Sequence, residues 1–273
     1  MPIERDHNRD VRQQLKRLVQ PFLLRRTKTQ VLSELPPRIE VTVPVTLPDE
    51  EAVLYEAARH RAVKALSDAK AADGKAQHLK ILAEIMRLRR ACCHPSLLLP
   101  DCGLPGAKLT AFSETIDDLL ENKHKALVFS QFVDHLAILR AELDRKKIAY
   151  QYLDGSTPMK ERKRSVDAFQ NGEGDVFLIS LKAGGTGLNL TAADYVLHMD
   201  PWWNPAVEDQ AADRAHRLGQ QRPVTIYRFI TRGTIEEKIL DLHATKRDLA
   251  DSLLEGTDTT GRLSAEELLA LIW

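Results

Sequence analysis

The sequence predicts an α/β fold, a parallel sheet with helices on both faces, joined to a smaller helical part. Three observations predict it. From Lys108 onward, short apolar runs alternate with stretches of helical periodicity, the pattern of a parallel sheet wrapped by crossover helices. The polar and glycine-bearing stretches fall at the ends of those runs: Ser130-Gln131, Asp154-Gly155-Ser156-Thr157, Lys182 to Asn189 and Trp202 to Asn204. In open α/β sheets the carboxyl ends of the strands form the functional edge. Finally, 273 residues with 43% hydrophobic and 29% charged content suit one or two globular domains.

Taken in order, residues 1–30 are basic and helical in flavour, with Leu15, Leu18, Val19 and Phe22 at helical spacing among Arg12, Lys16, Arg17, Arg25, Arg26 and Lys28. Pro36-Pro37 breaks this pattern, and residues 39–47 alternate like a strand interrupted by Pro44. Asp49-Glu50-Glu51 opens an alanine-rich helix after Pro48, where negative charge favours a helix start. Two helices, 50–70 and 76–91, are expected around Asp73-Gly74, and His94-Pro95 ends the second. The loop from Cys102 to Gly106 reads as a domain boundary. Helix 108–121 then precedes strand 126–130, helix 133–146 precedes strand 148–153, and helix 158–170 with the turn Asn171-Gly172 precedes strand 175–180. Strand 195–200, a further helix and strand 224–230 complete the sheet. The tail reads as a helix from Thr234 to about Leu254, a Gly/Thr linker, and a short helix opened by a capping box, Ser264 with Glu267. The apolar Leu268, Leu269 and Leu271 of that helix should dock somewhere.

The stretch Asp200–Gln220, DPWWNPAVEDQAADRAHRLGQ, organises the rest. Asn204 is a good N-cap, Pro205 suits the first helical position, and Gly219 is placed to end the helix. Wound at about 100° per residue, Gln210, Arg214 and Arg217 fall within roughly 60° of one another. Two guanidiniums and an amide on one face suit phosphate oxygens, which arginine forks bind bidentately. A solvated face is the common alternative for charges on a helix. The neighbouring Lys182-Ala183-Gly184-Gly185-Thr186-Gly187-Leu188-Asn189-Leu190 follows a strand, where glycines let backbone N–H groups approach a phosphate.

Together these stretches resemble the second ATPase lobe of the SWI2/SNF2 family in helicase superfamily 2. KAGGTGLNL is similar to that family's motif V, QAADRAHRLGQ to motif VI, LVFSQF (127–132) to motif IV, and LDGST (153–157) to the segment after it. PFLLRRTK (21–28), RRACCHP (89–95) and GTIEEKIL (233–240) extend the resemblance over nearly the whole chain, in order. It implies a RecA-like lobe at 107–252, a helical protrusion at 49–106, an interlobe connector at 1–48, and a C-terminal linker with a short helix at 253–273. It implies that Arg214 and Arg217 act as arginine fingers, that Gln210 helps position them, and that Gly185, Gly187 and Asn189 couple the nucleotide to DNA. It further implies that Gln131, Lys182, Trp203 and the backbone N–H groups of Gly155, Ser156, Thr157, Ala183 and Gly184 meet phosphates of double-stranded DNA.

Other classes are bounded by what the sequence lacks. The formal net charge is zero, so DNA binding must come from a local basic surface. Cys92, Cys93 and Cys102 fit a reducing interior, and the adjacent pair lacks the C-x2-C spacing of structural zinc, so no metal site is expected. No signal peptide or bilayer-length apolar run is present, which points to the cytoplasm or nucleoid, or the nucleus in a eukaryote, with no membrane partner. No G-x4-G-K-[ST] loop occurs, so the chain reads as half of a two-lobed motor. The whole motor would use ATP and Mg2+, with a protein–DNA complex as a candidate target. This half should bind neither tightly and should not turn over ATP without its partner lobe. A strand-separating superfamily 2 helicase and a non-catalytic nucleic-acid-binding module of the same fold are the alternatives.

Overall fold

The computed structural model describes residues 35–68, 74–183, 188–243 and 265–273. Six strands form one parallel sheet: β1 (Arg38–Val45), β2 (Ala126–Ser130), β3 (Tyr150–Leu153), β4 (Val176–Ser180), β5 (Tyr195–His198) and β6 (Val224–Thr231). Their order is β1-β6-β5-β2-β4-β3. Successive pairs run in plain register, as in Phe129 opposite both Ile179 and His198. The chain leaves β2 toward β3, returns to β4, and then crosses to β5 on the other side. Such a reversal opens a crevice at the carboxyl ends of the central strands. Residues 38–45 lie in the stretch the sequence assigns to the connector, yet they supply the edge strand, paired along their length with β6.

Period-two alternation sorts the side chains onto two faces. Leu127 and Phe129 join Phe169, Ala211 and Ala212 in one core, whereas Ala126 and Val128 join Phe112, Ile116, Leu136, Leu139 and Leu143 in the other. The helices α3 (Ala107–Glu121) and α4 (Val133–Lys146) therefore cover one face. The other face is covered by α5 (Met159–Gln170) and α6 (Pro205–Ala212). β4 is buried at every position, as a strand sandwiched between two helical layers must be.

The helical part has its own core. Tyr55, Ala58, Ala62 and Leu66 of α1 (Asp49–Asp68) meet Ile81, Ile85 and Leu88 of α2 (Gly74–Cys93). Residues 235–243 are helical (α7) and add Ile235 and Ile239. The tail helix α8 (Ala265–Ala270) docks here, through Leu268, Leu271 and Ile272. Full burial of such a side chain stabilises by about 1.5–3 kcal/mol, enough to fix a six-residue helix that would not form alone. The expected basic segment 1–30, the tail of the 234–254 helix, and the capping box of Ser264 and Glu267 lie outside what is described.

The boundary between the parts is built locally. Glu51, expected to favour the start of its own helix, is buried and accepts from Gly106 N and Ala107 N, both at 3.0 Å, and so caps α3. Gly106 has φ +82°, and a Cβ there would stand 2.3 Å from the His94 ring, so only glycine fits between α2 and α3.

Candidate functional site

The helix that carries the arginines stops early. α6 ends at Ala212, and residues 213–219 run through turns and bends. Gln210, Arg214 and Arg217 therefore do not share a helical face, contrary to the periodicity argument. The His216 amide still reaches Ala212 O at 3.1 Å, but Arg217 N turns back to Ala215 O at 3.1 Å, and bonds from other segments hold the chain in this turn. The Arg214 oxygen accepts from Leu190 N at 3.0 Å, and the Ala215 oxygen accepts from Gln220 Nε2 at 3.1 Å. Gln220 also donates to Thr191 O and Ala193 O, and its Oε1 accepts from Gln221 N and Arg222 N. His216 Nε2 reaches Pro36 O at 2.8 Å. Asn204 behaves as expected, its side chain accepting from Ala206 N, whereas Gly219 takes φ +102° but does not end the helix, which has already stopped at Ala212.

The turn separates the two arginines by environment. Arg214 is buried, with its guanidinium carbon 5.9 Å from the centre of the Phe129 ring. Its Nε and Nη1 are buried with no hydrogen-bond partner among the described residues, and burial lowers its pKa to about 10, so it stays charged at neutral pH. An unpaired buried guanidinium is costly, and an anion would relieve the cost. Arg217 and Gln210 are exposed, and Arg217 makes no ion pair among the described residues. Asn189 is exposed, close in sequence to the Leu190 amide that holds the Arg214 turn. Gly184, Gly185 and Gly187 lie outside the described residues.

At the ends of β3 and β4 the structure corrects part of the proposed phosphate cradle. Asp154 Oδ1 accepts from Ser156 N at 2.8 Å and from Thr157 N at 3.1 Å, an Asx-type turn. Ala183 N is turned toward Ser180 Oγ at 3.3 Å. These amides are internally satisfied and are not free donors. Gly155, Ser156 and Lys182 are exposed there, Ser156 with its hydroxyl on Asp154. Gly155 lacks a positive φ and has nothing within 4 Å of where a Cβ would stand, so neither backbone nor packing requires a glycine there. Sequence reasoning missed Arg162 of α5. Its guanidinium donates to Thr157 O at 2.8 Å, Asp154 O at 2.9 Å, Gly155 O at 3.4 Å and Ala183 O at 3.1 Å. Its position one turn into the helix that follows Pro158 was the available signal.

At the ends of β2 and β5, Asp200 is the hub. It accepts from Ser130 Oγ at 2.5 Å and from Gln131 N at 3.2 Å, and faces Arg89 of α2 at 3.6 Å. Burial raises its pKa, against the pull of Arg89. Arg89 is fully buried, donates to Pro201 O, and lies 5.0 Å from the centre of the Trp203 ring. Trp203 is half-buried against the helical core, and Trp202 packs on the sheet core. Gln131 is half-buried, with Nε2 against the Met86 sulfur at 3.5 Å. Cys93, His135 and Asp200 come within 4.8 Å of one another, the spacing of metal ligands. The chemistry does not suit a dication. Burial pushes the Cys93 thiol well above its usual range, the Asp200 oxygens already have donors, and Arg89 and Lys108 add positive charge nearby.

Comparison with known proteins identifies the family. Residues 107–219 match the model of the helicase conserved C-terminal domain, and residues 1–97 match that of the SNF2-related domain. An uncharacterized ATP-dependent helicase of Mycoplasma genitalium is 38% identical over 98% of this chain, which spans 26% of that protein's length. The solved C-terminal domain of the Sulfolobus solfataricus SWI2/SNF2 ATPase is 31% identical, with a TM-score of 0.68, over 86% of this chain and 97% of that one. The ATPase core from the same organism, solved in complex with double-stranded DNA, is 33% identical with a TM-score of 0.71, over 95% of this chain and 55% of that one. The fold is that of a RecA-like helicase domain. The chain belongs to the SWI2/SNF2 ATPase family and is similar to the solved C-terminal domain of one member. It spans about a quarter of the length of the M. genitalium relative. No described helix is long and apolar enough to cross a membrane.

Proposed function

We propose that this chain is the second lobe of an ATP-dependent motor that tracks along double-stranded DNA. The observation that carries the reading is Arg214: a buried guanidinium whose Nε and Nη1 lack partners among the described residues, held by the Leu190 amide that follows the glycine-rich loop. Such a group is preorganised for an anion that arrives from outside the lobe. In this reading a P-loop lobe binds ATP and Mg2+, and closure brings the γ-phosphate to Arg214 and to the exposed Arg217. Both arginines stabilise charge on the transferring phosphoryl group. Gln210 and Asn189 stand exposed beside the same turn and help align the nucleotide. No P-loop occurs in this sequence, so this lobe alone should not turn over ATP.

DNA contact belongs to the strand ends, where Lys182 and Gly155 face solvent. Phosphate contacts carry no sequence information, which suits a motor that must act anywhere on a duplex. The S. solfataricus core bound to double-stranded DNA supports the choice of duplex over single strand. Trp203 contributes through the position of its loop, since its ring is committed to Arg89 and the helical core.

The test joins this chain to a P-loop lobe and measures DNA-stimulated ATP turnover. Arg214→Ala and Arg217→Ala should each lower turnover by about 10³-fold while nucleotide binding changes far less. Arg214→Lys should not rescue, because lysine lacks the fork. Near-normal turnover in either alanine variant removes that arginine from the mechanism.

A further inference from the structure

The turn after β3 and the loop after β4 each hold themselves together, through Asp154 and through Ser180 respectively. Their strands are neighbours, but the pairing ends at Leu153 opposite Ile179. Beyond that point, every described hydrogen bond between the two loops runs through Arg162. Three of its four acceptor carbonyls belong to residues 154, 155 and 157, and the fourth to Ala183. No carboxylate among the described residues pairs with it, so its charge is set against backbone oxygens alone.

We propose that Arg162 is a positioning residue for DNA, a clamp that fixes the turn bearing Gly155 relative to the loop bearing Lys182. This rests on the reading that the same edge meets duplex phosphates. The physical argument is geometric. The guanidinium is planar with five donors in a fixed fork, so bonding to oxygens on both loops sets their separation and tilt together. With three of its carbonyls drawn toward Arg162, the turn leaves Gly155 exposed, at the end of the strand that pairs with the one leading to the exposed Lys182. The unneutralised charge beneath the turn adds attraction for an anion above it. Lysine would keep that charge, but its ammonium on a flexible stem cannot span both loops.

The test uses this chain with wild type, Arg162→Lys, Arg162→Ala and Lys182→Ala. Binding to a short DNA duplex is followed across a salt series, and hydrogen–deuterium exchange is followed in the free chain. Arg162→Lys should lower affinity about tenfold, the loss of one to two charge-assisted hydrogen bonds, with the thermal midpoint nearly unchanged. Peptides covering 154–157 and 182–183 should exchange faster together in that variant. Wild-type affinity in Arg162→Lys would show that charge and not the fork matters, and would overturn the clamp. Unchanged exchange at 182–183 would overturn it as well. If the Arg162 variants do not fold, the wild-type chain titrated with duplex decides: both peptides should gain protection at the same DNA concentration, and protection of one alone refutes the coupling. The underlying reading fails separately, through coincident salt slopes for wild type and Lys182→Ala, and the exchange experiment on the free chain still judges the clamp.

Discussion

Gly155 and His198 show how differently two residues of one lobe can be constrained. Gly155 sits in open space without a positive φ, so a methyl group costs the fold nothing. If the backbone there approaches a phosphate, the same methyl stands in the way. Gly155→Ala should therefore leave the thermal midpoint within about a degree or raise it slightly, since alanine lowers the entropy of the unfolded chain. It should weaken duplex binding by about tenfold in fluorescence anisotropy. Unchanged affinity would remove Gly155 from the DNA edge. His198 is constrained from within. It is stacked on Phe129 and fully desolvated, and burial lowers its pKa to about 4 from 6.5. Below pH 6.5 the unfolded chain takes up a proton that the folded chain refuses, so stability is constant above that pH and falls between 6.5 and about 4. The loss approaches roughly 1.4 kcal/mol per pH unit inside that window. His198 Nε2 has no partner, so His198→Leu should remove this dependence and leave only that of other groups such as His135, whose pKa is also lowered. Urea melts of both proteins at pH 7.5, 6 and 5 measure the difference.

At the level of elements, the sheet was legible because its pattern is short-range. Apolar runs between turn signals locate β2, β4 and β6 to within a residue or two. The irregular turn after α6 was not legible, because it is held by bonds from elsewhere. Ala206, Ala211, Ala212 and Ala215 all favour helix, and nothing local says that Leu190 N and Gln220 will take the carbonyls of 214 and 215. The residue types of the site were therefore readable, but not their burial. Arg162 escaped for a related reason, since its acceptors are backbone oxygens, which any sequence supplies. The role of Gln220 in this turn can be tested. Gln220→Ala takes the side-chain donor from the oxygens of Thr191, Ala193 and Ala215, of which Ala215 keeps Arg217 N. Buried carbonyls left unsatisfied cost about 1–3 kcal/mol each when no water replaces the donor. The variant should lose at least about 2 kcal/mol in denaturant melts. It should also show faster amide exchange across 213–217 than across β4. A loss confined to global stability, with 213–217 still protected, would mean that the turn holds without Gln220.

The whole molecule has two kinds of core, the layered sheet and the helical bundle, joined by buried charge. Lys108 of α3, on the sheet side, meets Glu236 of α7, on the bundle side, at 2.6 Å with both side chains fully buried. The ammonium also donates to Met199 O, just beyond β5, and the carboxylate accepts from Thr231 N at the end of β6. Arg89 of α2 makes a second tie, to Asp200 and Pro201 O. Breaking a buried pair on one side leaves the other charge stranded and costs about 3–5 kcal/mol, whereas replacing both partners with apolar residues is often neutral. Glu236→Gln should therefore lower stability by that order and loosen the bundle from the sheet, because Lys108 is then uncompensated at the seam. Calorimetry reads the coupling directly. The wild-type chain should unfold in one transition with calorimetric and van't Hoff enthalpies in agreement. In Glu236→Gln the bundle should melt first, splitting the transition, with exchange rising in α2 and α8 before β4. The double variant Lys108→Met/Glu236→Leu should recover most of the lost stability, since no buried charge remains unpaired. A single transition with undiminished midpoint in Glu236→Gln would show that the two cores are held together by apolar contact alone and that the ion pair is incidental to their union.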